Sequence, residues 1–197
     1  MISQTRNFLC ILIISSCSIF DQNFYSDKKI NINDDILYSP YAMQTIQINN
    51  TKEELMLLNQ VIGDKYKWSK ESLRITMSNG KIIKTVGLEN DFELNYYKGI
   101  KTLDDHEALI RFKNPESDFM EIIFTYNVID KGIMTKILDK SSFSFTLIEE
   151  EFNVPKIRWK GSNLYWVDTD GYVWKTIQHL EPFGSKATFM TLKKYSD

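Results

Sequence analysis

The side chains best suited to act on a ligand are concentrated between Trp159 and Gln178, in the run W-K-G-S-N-L-Y-W-V-D-T-D-G-Y-V-W-K-T-I-Q. Trp159, Tyr165, Trp166, Tyr172 and Trp174 lie there, and Trp68 adds a fourth tryptophan from earlier in the chain. Flat aromatic faces beside Asn163, Asp168 and Gln178 could stack on a sugar ring and hydrogen-bond its hydroxyls, or meet a protein partner. The plainer reading is packing, because aromatic residues on strands usually close one side of a β core. Rings turned to solvent would mean recognition, and rings turned inward would mean a core.

Other chemistries find less support. There is no G-x-S-x-G, no H-E-x-x-H and no phosphate-cradling glycine loop. His106 and His179 are far apart, and both are expected at the surface or in turns. Asp104, Asp105, His106 and Glu107 are four adjacent residues that cannot all converge on one ion, so a solvated loop is expected. Asp168-Thr169-Asp170-Gly171 resembles the opening of a calcium loop but lacks the distal glutamate, and a hairpin turn accounts for it. Glu149, Glu150 and Glu151 alternate along an extended chain, so a glycosidase pair would need a distant partner. The expectation is no catalytic residue, no metal and no cofactor. A net charge of −2 gives no basic face for nucleic acid.

The elements that must position these rings are strands. Asp170-Gly171 suits a two-residue turn between strands at residues 163–168 and 172–178, with both central residues at positive φ. That turn pairs Val167 with Trp174, Trp166 with Lys175 and Tyr165 with Thr176. It puts Tyr165, Val167, Tyr172 and Trp174 on one face. Centring it on Thr169-Asp170 instead would change the pairs but keep the faces. Asn79-Gly80 marks a second hairpin between Leu73–Ser78 and Lys81–Val86, pairing Met77 with Ile82, Ile75 with Lys84 and Leu73 with Val86. Leu73, Ile75, Met77, Ile82 and Val86 then share a face that Lys84 interrupts.

Thr51-Lys52-Glu53-Glu54 reads as a capping box, followed by Leu55, Leu58 and Ile62 at helical spacing and a stop at Gly63-Asp64. A helix is expected there. Further strands are expected at 92–97, 108–112, 119–128, 133–138, 142–150 and 187–193. The fold class is mainly β: an antiparallel barrel or sandwich with one or few short helices. At 43% hydrophobic and 13% aromatic, the composition supplies a core.

Residues 1–16 read as a secretory signal, with Arg6 before the short apolar run 8–14. Ile14-Ser15-Ser16-Cys17 looks like a lipobox, in which Cys17 would be acylated. The alternative is an ordinary signal peptide with Cys10 and Cys17 as bystanders. Residues 17–33 are then an acylated terminus and polar tether, and 34–197 a single β-rich domain. Cleavage would leave Cys17 as the sole cysteine, so the domain would depend on its core rather than on disulfides. Ser18 after the cysteine resembles an outer-membrane sorting pattern.

The run N-L-Y-W-V-D-T-D-G-Y-V-W-K-T-I-Q, then Pro182 and T-L-K-K-Y, resembles the C-terminal signature of the YjbF/GfcB lipoproteins. W-S-K-E-S-L-R-I-T-M-S-N-G-K-I-I-K-T-V-G-L resembles a second motif of that family, in the right order. The resemblance implies a β-barrel-like fold on an outer-membrane lipoprotein facing the periplasm. It also implies a non-catalytic accessory role in capsule or exopolysaccharide assembly and export. The expected partners are the membrane, through an N-terminal lipid, and polysaccharide-secretion proteins or the polysaccharide itself. The runner-up is an envelope carbohydrate-binding module using Trp68, Trp159, Tyr165, Trp166, Tyr172 and Trp174. A polysaccharide-modifying enzyme would need carboxylates that the fold brings together.

Overall fold

The structure is a computed structural model and describes residues 41–98, 100, 103–113 and 116–195. The signal segment 1–16, Cys17 and the tether to residue 33 lie outside the described residues. Twelve strands follow one another: β1 (Met43–Ile48), β2 (Glu54–Ile62), β3 (Lys65–Lys70), β4 (Leu73–Ser78), β5 (Lys81–Val86), β6 (Phe92–Asn95), β7 (His106–Phe112), β8 (Met120–Thr135), β9 (Ser142–Val154), β10 (Trp159–Asp168), β11 (Val173–His179) and β12 (Lys186–Lys193). Each pairs antiparallel with the next, and β12 returns to pair with β1, closing a barrel. The barrel alternative of the expected fold class is therefore the one adopted. A three-residue 3-10 turn, Pro155–Ile157, is the helical element among the described residues.

The expected helix at 51–62 is not formed. Residues Glu54–Ile62 are strand β2, laddered to β1 on one side and β3 on the other. Only Met56 of this strand is fully buried. Leu55, Leu58 and Ile62 have helical spacing, but closure needs a backbone partner for both β1 and β3, and that tertiary demand outweighs local propensity. Gly63-Asp64, read as a helix stop, is the β2–β3 hairpin turn instead, with Gly63 at φ +60°. Strand β3, which carries Trp68, had no counterpart among the expected strands.

Both expected hairpins form, and each carries a bulge that changes which residues face inward. In β10–β11, Tyr165 pairs with Thr176 and Trp166 with Lys175 as expected, but Val167 pairs with Val173. Gly171 takes the positive φ, +79°, and its N–H bonds to the Asp168 carbonyl, so Thr169 and Asp170 occupy the turn. The extra residue sends Val173 inside with Tyr165 and Val167, and Trp174 leaves that face. In β4–β5 the register shifts so that Thr76 faces Lys84 and Ile75 faces Thr85. Lys84 is thereby exposed and Thr85 buried, which removes the charge from the apolar face.

The two strands expected at 119–128 and 133–138 are one long strand, β8, with a register shift near Val128. Beyond Phe124 this strand no longer pairs with β7, and its free edge is blunted by that bulge and by exposed Asp130 and Lys131.

Strands β5 and β11 stand on opposite sides of the ring of twelve, yet they touch. The Gln178 Nε2 donates to the Gly80 carbonyl at 2.7 Å, and its Oε1 accepts from the Ile82 N–H at 2.9 Å. A Cβ on Gly80 would lie 2.6 Å from the Val173 Cβ, so glycine is required both for the turn's φ of +79° and for this approach. The pinch leaves a large apolar cluster around Phe124, Phe152, Trp159 and Phe189, and a smaller one around Ile148, Tyr165 and Val173. Outward positions carry exposed Arg74, Lys84, Glu107, Arg111, Glu121 and Glu151. This arrangement reverses that of a membrane-spanning barrel, whose apolar band faces lipid.

Candidate functional site

Two features stand out: a polar centre inside the barrel and a cleft at one end. The centre is Glu150, which has no exposed surface. Its Oε2 meets the Lys81 ammonium, the Asn163 Nδ2 at 2.7 Å and the Tyr165 hydroxyl at 2.9 Å. Its Oε1 accepts from the Tyr97 hydroxyl at 2.9 Å and the Tyr126 hydroxyl at 3.1 Å. Burial pushes the Glu150 carboxyl up, but Lys81 and the donors from Asn163 and Tyr165 outweigh it and hold the carboxyl below its ordinary value. Burial pushes the Lys81 ammonium down, and Glu150 partly offsets that. The hydroxyls of Tyr97 and Tyr165 are pushed well up by burial and by the carboxylate. With both oxygens taken by donors and no surface exposed, Glu150 acts as a clamp joining β5, β8, β9 and β10.

His179 borders this centre. Its ring packs edge-on to Phe152 at 5.4 Å and Trp159 at 5.9 Å. Gly161 permits this, since a Cβ there would lie 2.7 Å from the Phe152 Cζ and 2.8 Å from the His179 Nε2. Burial, with Lys186 and Lys81, lowers the His179 pKa from 6.5 to about 4. The unfolded chain therefore takes up a proton at higher pH than the folded one does. Stability is expected to be undiminished by this group above about pH 6.5 and to fall as pH drops toward 4. Urea unfolding at pH 7 and pH 5 should show the lower midpoint at pH 5, and His179→Gln should reduce the difference.

The cleft, of about 260 Å³, lies where the Asn79-Gly80 and Asp170-Gly171 turns meet. Its walls include Tyr66, Trp68 and Tyr172, with Gln44 and Thr191 as polar groups and Asp170 and Lys194 also lining it. Gln44 is 3% exposed, and its Nε2 reaches the Met77 sulfur at 3.8 Å. Sulfur is a weak acceptor. The Tyr172 hydroxyl donates to Thr191 at a long 3.4 Å, and burial pushes its pKa up to about 12. Asp168 braces the turn: its Oδ1 accepts from the N–H groups of Asp170 and Tyr172, and its Oδ2 from the Trp174 Nε1 at 2.8 Å.

Compared with known proteins, the sequence matches the family described as "Group 4 capsule polysaccharide lipoprotein gfcB, YjbF" over residues 20–192. The chain belongs to this family. Among solved structures, the fold of this YjbF-family protein is similar to that of the hypothetical lipoprotein YmcC from Escherichia coli K12. The TM-score is 0.65 at 18% identity, covering 80% of this chain and 86% of the other. A putative exported protein with a YmcC-like fold from Bacteroides fragilis matches at TM-score 0.43 and 11% identity, over 79% of this chain and 95% of that one. A search of curated proteins finds no match.

In this YjbF-family barrel the six rings singled out in the sequence divide into two groups. Trp68, Trp159 and Tyr165 are at most 5% exposed, and Trp174 is buried as well, at 8%. Three faces lie under lysines: Trp166 under Lys175 at 4.6 Å, Tyr172 under Lys194 at 4.4 Å and Trp174 under Lys136 at 4.5 Å. The cleft brings Trp68 and Tyr172 together. Trp159 and Tyr165 lie in the interior, and Trp166 and Trp174 on the flank of β10–β11.

Asn163 and Gln178 are buried in the interior network, not placed beside open ring faces. His106 is also not a surface or turn residue. It is 6% exposed on β7, stacked on Tyr126 at 5.9 Å, and its Nε2 accepts from the Lys98 N–H. The Glu150–Lys81 clamp was not legible from spacing, since the pair is 69 positions apart; the one local signal was a Lys at the first position of β5 beside a hairpin turn.

Proposed function

We propose that this protein is a lipid-anchored, non-catalytic accessory factor in capsule or exopolysaccharide assembly and export, attached at the outer membrane with its barrel in the periplasm. The observation that carries this reading is the family match, which begins at residue 20, three positions after the lipobox cysteine, and runs through the barrel to 192. The barrel's charged outer face supports anchoring from elsewhere in the chain. Acyl chains on Cys17, each adding roughly 0.8 kcal/mol per buried methylene, would supply it. A non-catalytic role is supported by Glu150, the most enclosed carboxylate, which is saturated by five donors and paired with a lysine rather than a second acid. The partner would be a polysaccharide-secretion protein or the polymer itself.

The test is deletion in the native host, complemented by wild type or by Cys17→Ser. Surface polysaccharide is expected to disappear on deletion and to return with wild type but not with Cys17→Ser, which should leave the membrane fraction. Unchanged polysaccharide after deletion would overturn the proposed role.

A further inference from the structure

We infer that the cleft between the Asn79-Gly80 and Asp170-Gly171 turns is a saccharide-binding subsite that holds a single sugar residue of a glycan chain. The inference rests on the proposed role at a polysaccharide and names the part of the surface that would meet the polymer.

Three observations carry it. First, the lining mixes what a pyranose presents. Tyr66, Trp68 and Tyr172 are flat and apolar, suited to C–H faces, while Gln44, Thr191 and Asp170 are suited to hydroxyls. A lipid pocket would be lined by aliphatic side chains, and of these the cleft has Met77 and Val173. Second, its polar groups keep hydrogen-bonding capacity. The buried Gln44 amide is matched to a sulfur at 3.8 Å and the Tyr172 hydroxyl to Thr191 at 3.4 Å, where buried polar groups ordinarily make shorter bonds to stronger partners. Third, the volume of about 260 Å³ lies at the small end of the roughly 300–1,000 Å³ typical of small-molecule sites, which suits one ring and not an extended segment.

The neighbouring surface continues the path. A groove lined by Lys136, Trp174 and Lys193 shares Asp170 and Lys194 with the cleft, so the chain on either side of the bound residue has a route along the barrel end. Lys194 and Lys136 lie over the faces of Tyr172 and Trp174. The contact of the exposed Lys194 is weak, about 0.5–1 kcal/mol, and a sugar ring can displace its ammonium from the Tyr172 face, whereas Trp174 is itself buried at 8% exposure.

The experiment uses the full-length protein in detergent and the host's own surface polysaccharide, purified and cut to short oligosaccharides. Binding is followed by calorimetry and tryptophan fluorescence. Wild type is expected to bind saturably, with Tyr172→Ala weakening binding by about tenfold or more. Lys194→Glu, at an exposed position, is expected to alter affinity without touching the fold, so a poorly folded Tyr172→Ala would not leave the question open. No saturable binding by wild type, or equal binding by wild type and both variants, would overturn the subsite.

The host deletion separates this from the proposed role. If deletion removes surface polysaccharide and Tyr172→Ala restores it without binding oligosaccharide, the subsite falls and the accessory role stands. If Tyr172-dependent binding is found but deletion changes nothing, the role falls and the subsite stands.

Discussion

Glu150→Ala is expected to destabilise the protein by about 3–5 kcal/mol, the cost of leaving a buried charge without its partner. Lys81 is 6% exposed and its ammonium lies over the Phe124 ring at 4.8 Å, so once the carboxylate is gone it is left buried without an anion to pair with. Tyr97, Tyr126 and Asn163 lose their acceptor in the same step. The double variant Lys81→Met/Glu150→Gln removes both charges and keeps an acceptor for the tyrosines, so its loss should be smaller than the sum of the two single variants.

The same clamp predicts an acid response. Because the folded carboxyl sits below its ordinary 4.5, the unfolded state binds the proton first as pH falls. The contribution of Glu150 is fully present above about pH 4.5 and is lost as pH drops through the lower folded value. Urea unfolding at neutral pH of Glu150→Ala, and of the double variant beside its component single variants Lys81→Met and Glu150→Gln, checks the first claim. A loss below about 1 kcal/mol for Glu150→Ala would mean that water reaches the pair after all.

Trp159→Ala should cost a similar amount, about 3–5 kcal/mol, for a different reason. The ring is 4% exposed and lies against Phe152 at 4.6 Å, Phe112 at 6.0 Å and His179 at 5.9 Å, with interplanar angles between 63° and 83°. Removing it opens a cavity that the closed sheet cannot collapse to fill, and forfeits edge-to-face contacts worth about 0.5–1.5 kcal/mol each beyond area. Trp166→Ala is the contrast: a half-buried ring on the outer flank under Lys175, whose loss is expected to stay within about 1 kcal/mol. Thermal and urea denaturation of both variants decide the matter. Equal losses at the two positions would contradict the inside and outside assignment of the rings.

That division bears on the functional reading. Of the six rings, Trp68 and Tyr172 reach the cleft, and Trp174 reaches the groove beside it. A glycan-binding defect in Trp159→Ala would therefore be accompanied by a lowered Tm, while one in Lys194→Glu, at an exposed position on the cleft, would not.

What the chain determined by itself is local. Asn79-Gly80 turns as its turn chemistry dictates, with both residues at positive φ, whereas in the second hairpin Gly171 alone takes the positive φ and the turn moves one residue back, to Thr169-Asp170. Alternation along 142–150 and 187–193 announces strands because the pleat has a period of two. The lipobox pattern at Cys17 and the two motifs around Trp68 and Trp166 pointed to the family from a few contiguous residues.

Tertiary structure decided whatever depends on closing the ring. Residues 54–62 became a strand because β1 and β3 needed a common neighbour. A one-residue bulge exchanged Val173 and Trp174 between the faces, and a strand's own sequence carries no mark of where the extra residue will be accommodated. Glu150 found Lys81 across 69 positions, and Gln178 found Gly80 across 98. Such pairs are set when opposite strands of the barrel meet, so no local pattern encodes them. The cleft arises the same way: two hairpin turns, each readable alone, form a site only because the fold brings Gly80 against Val173.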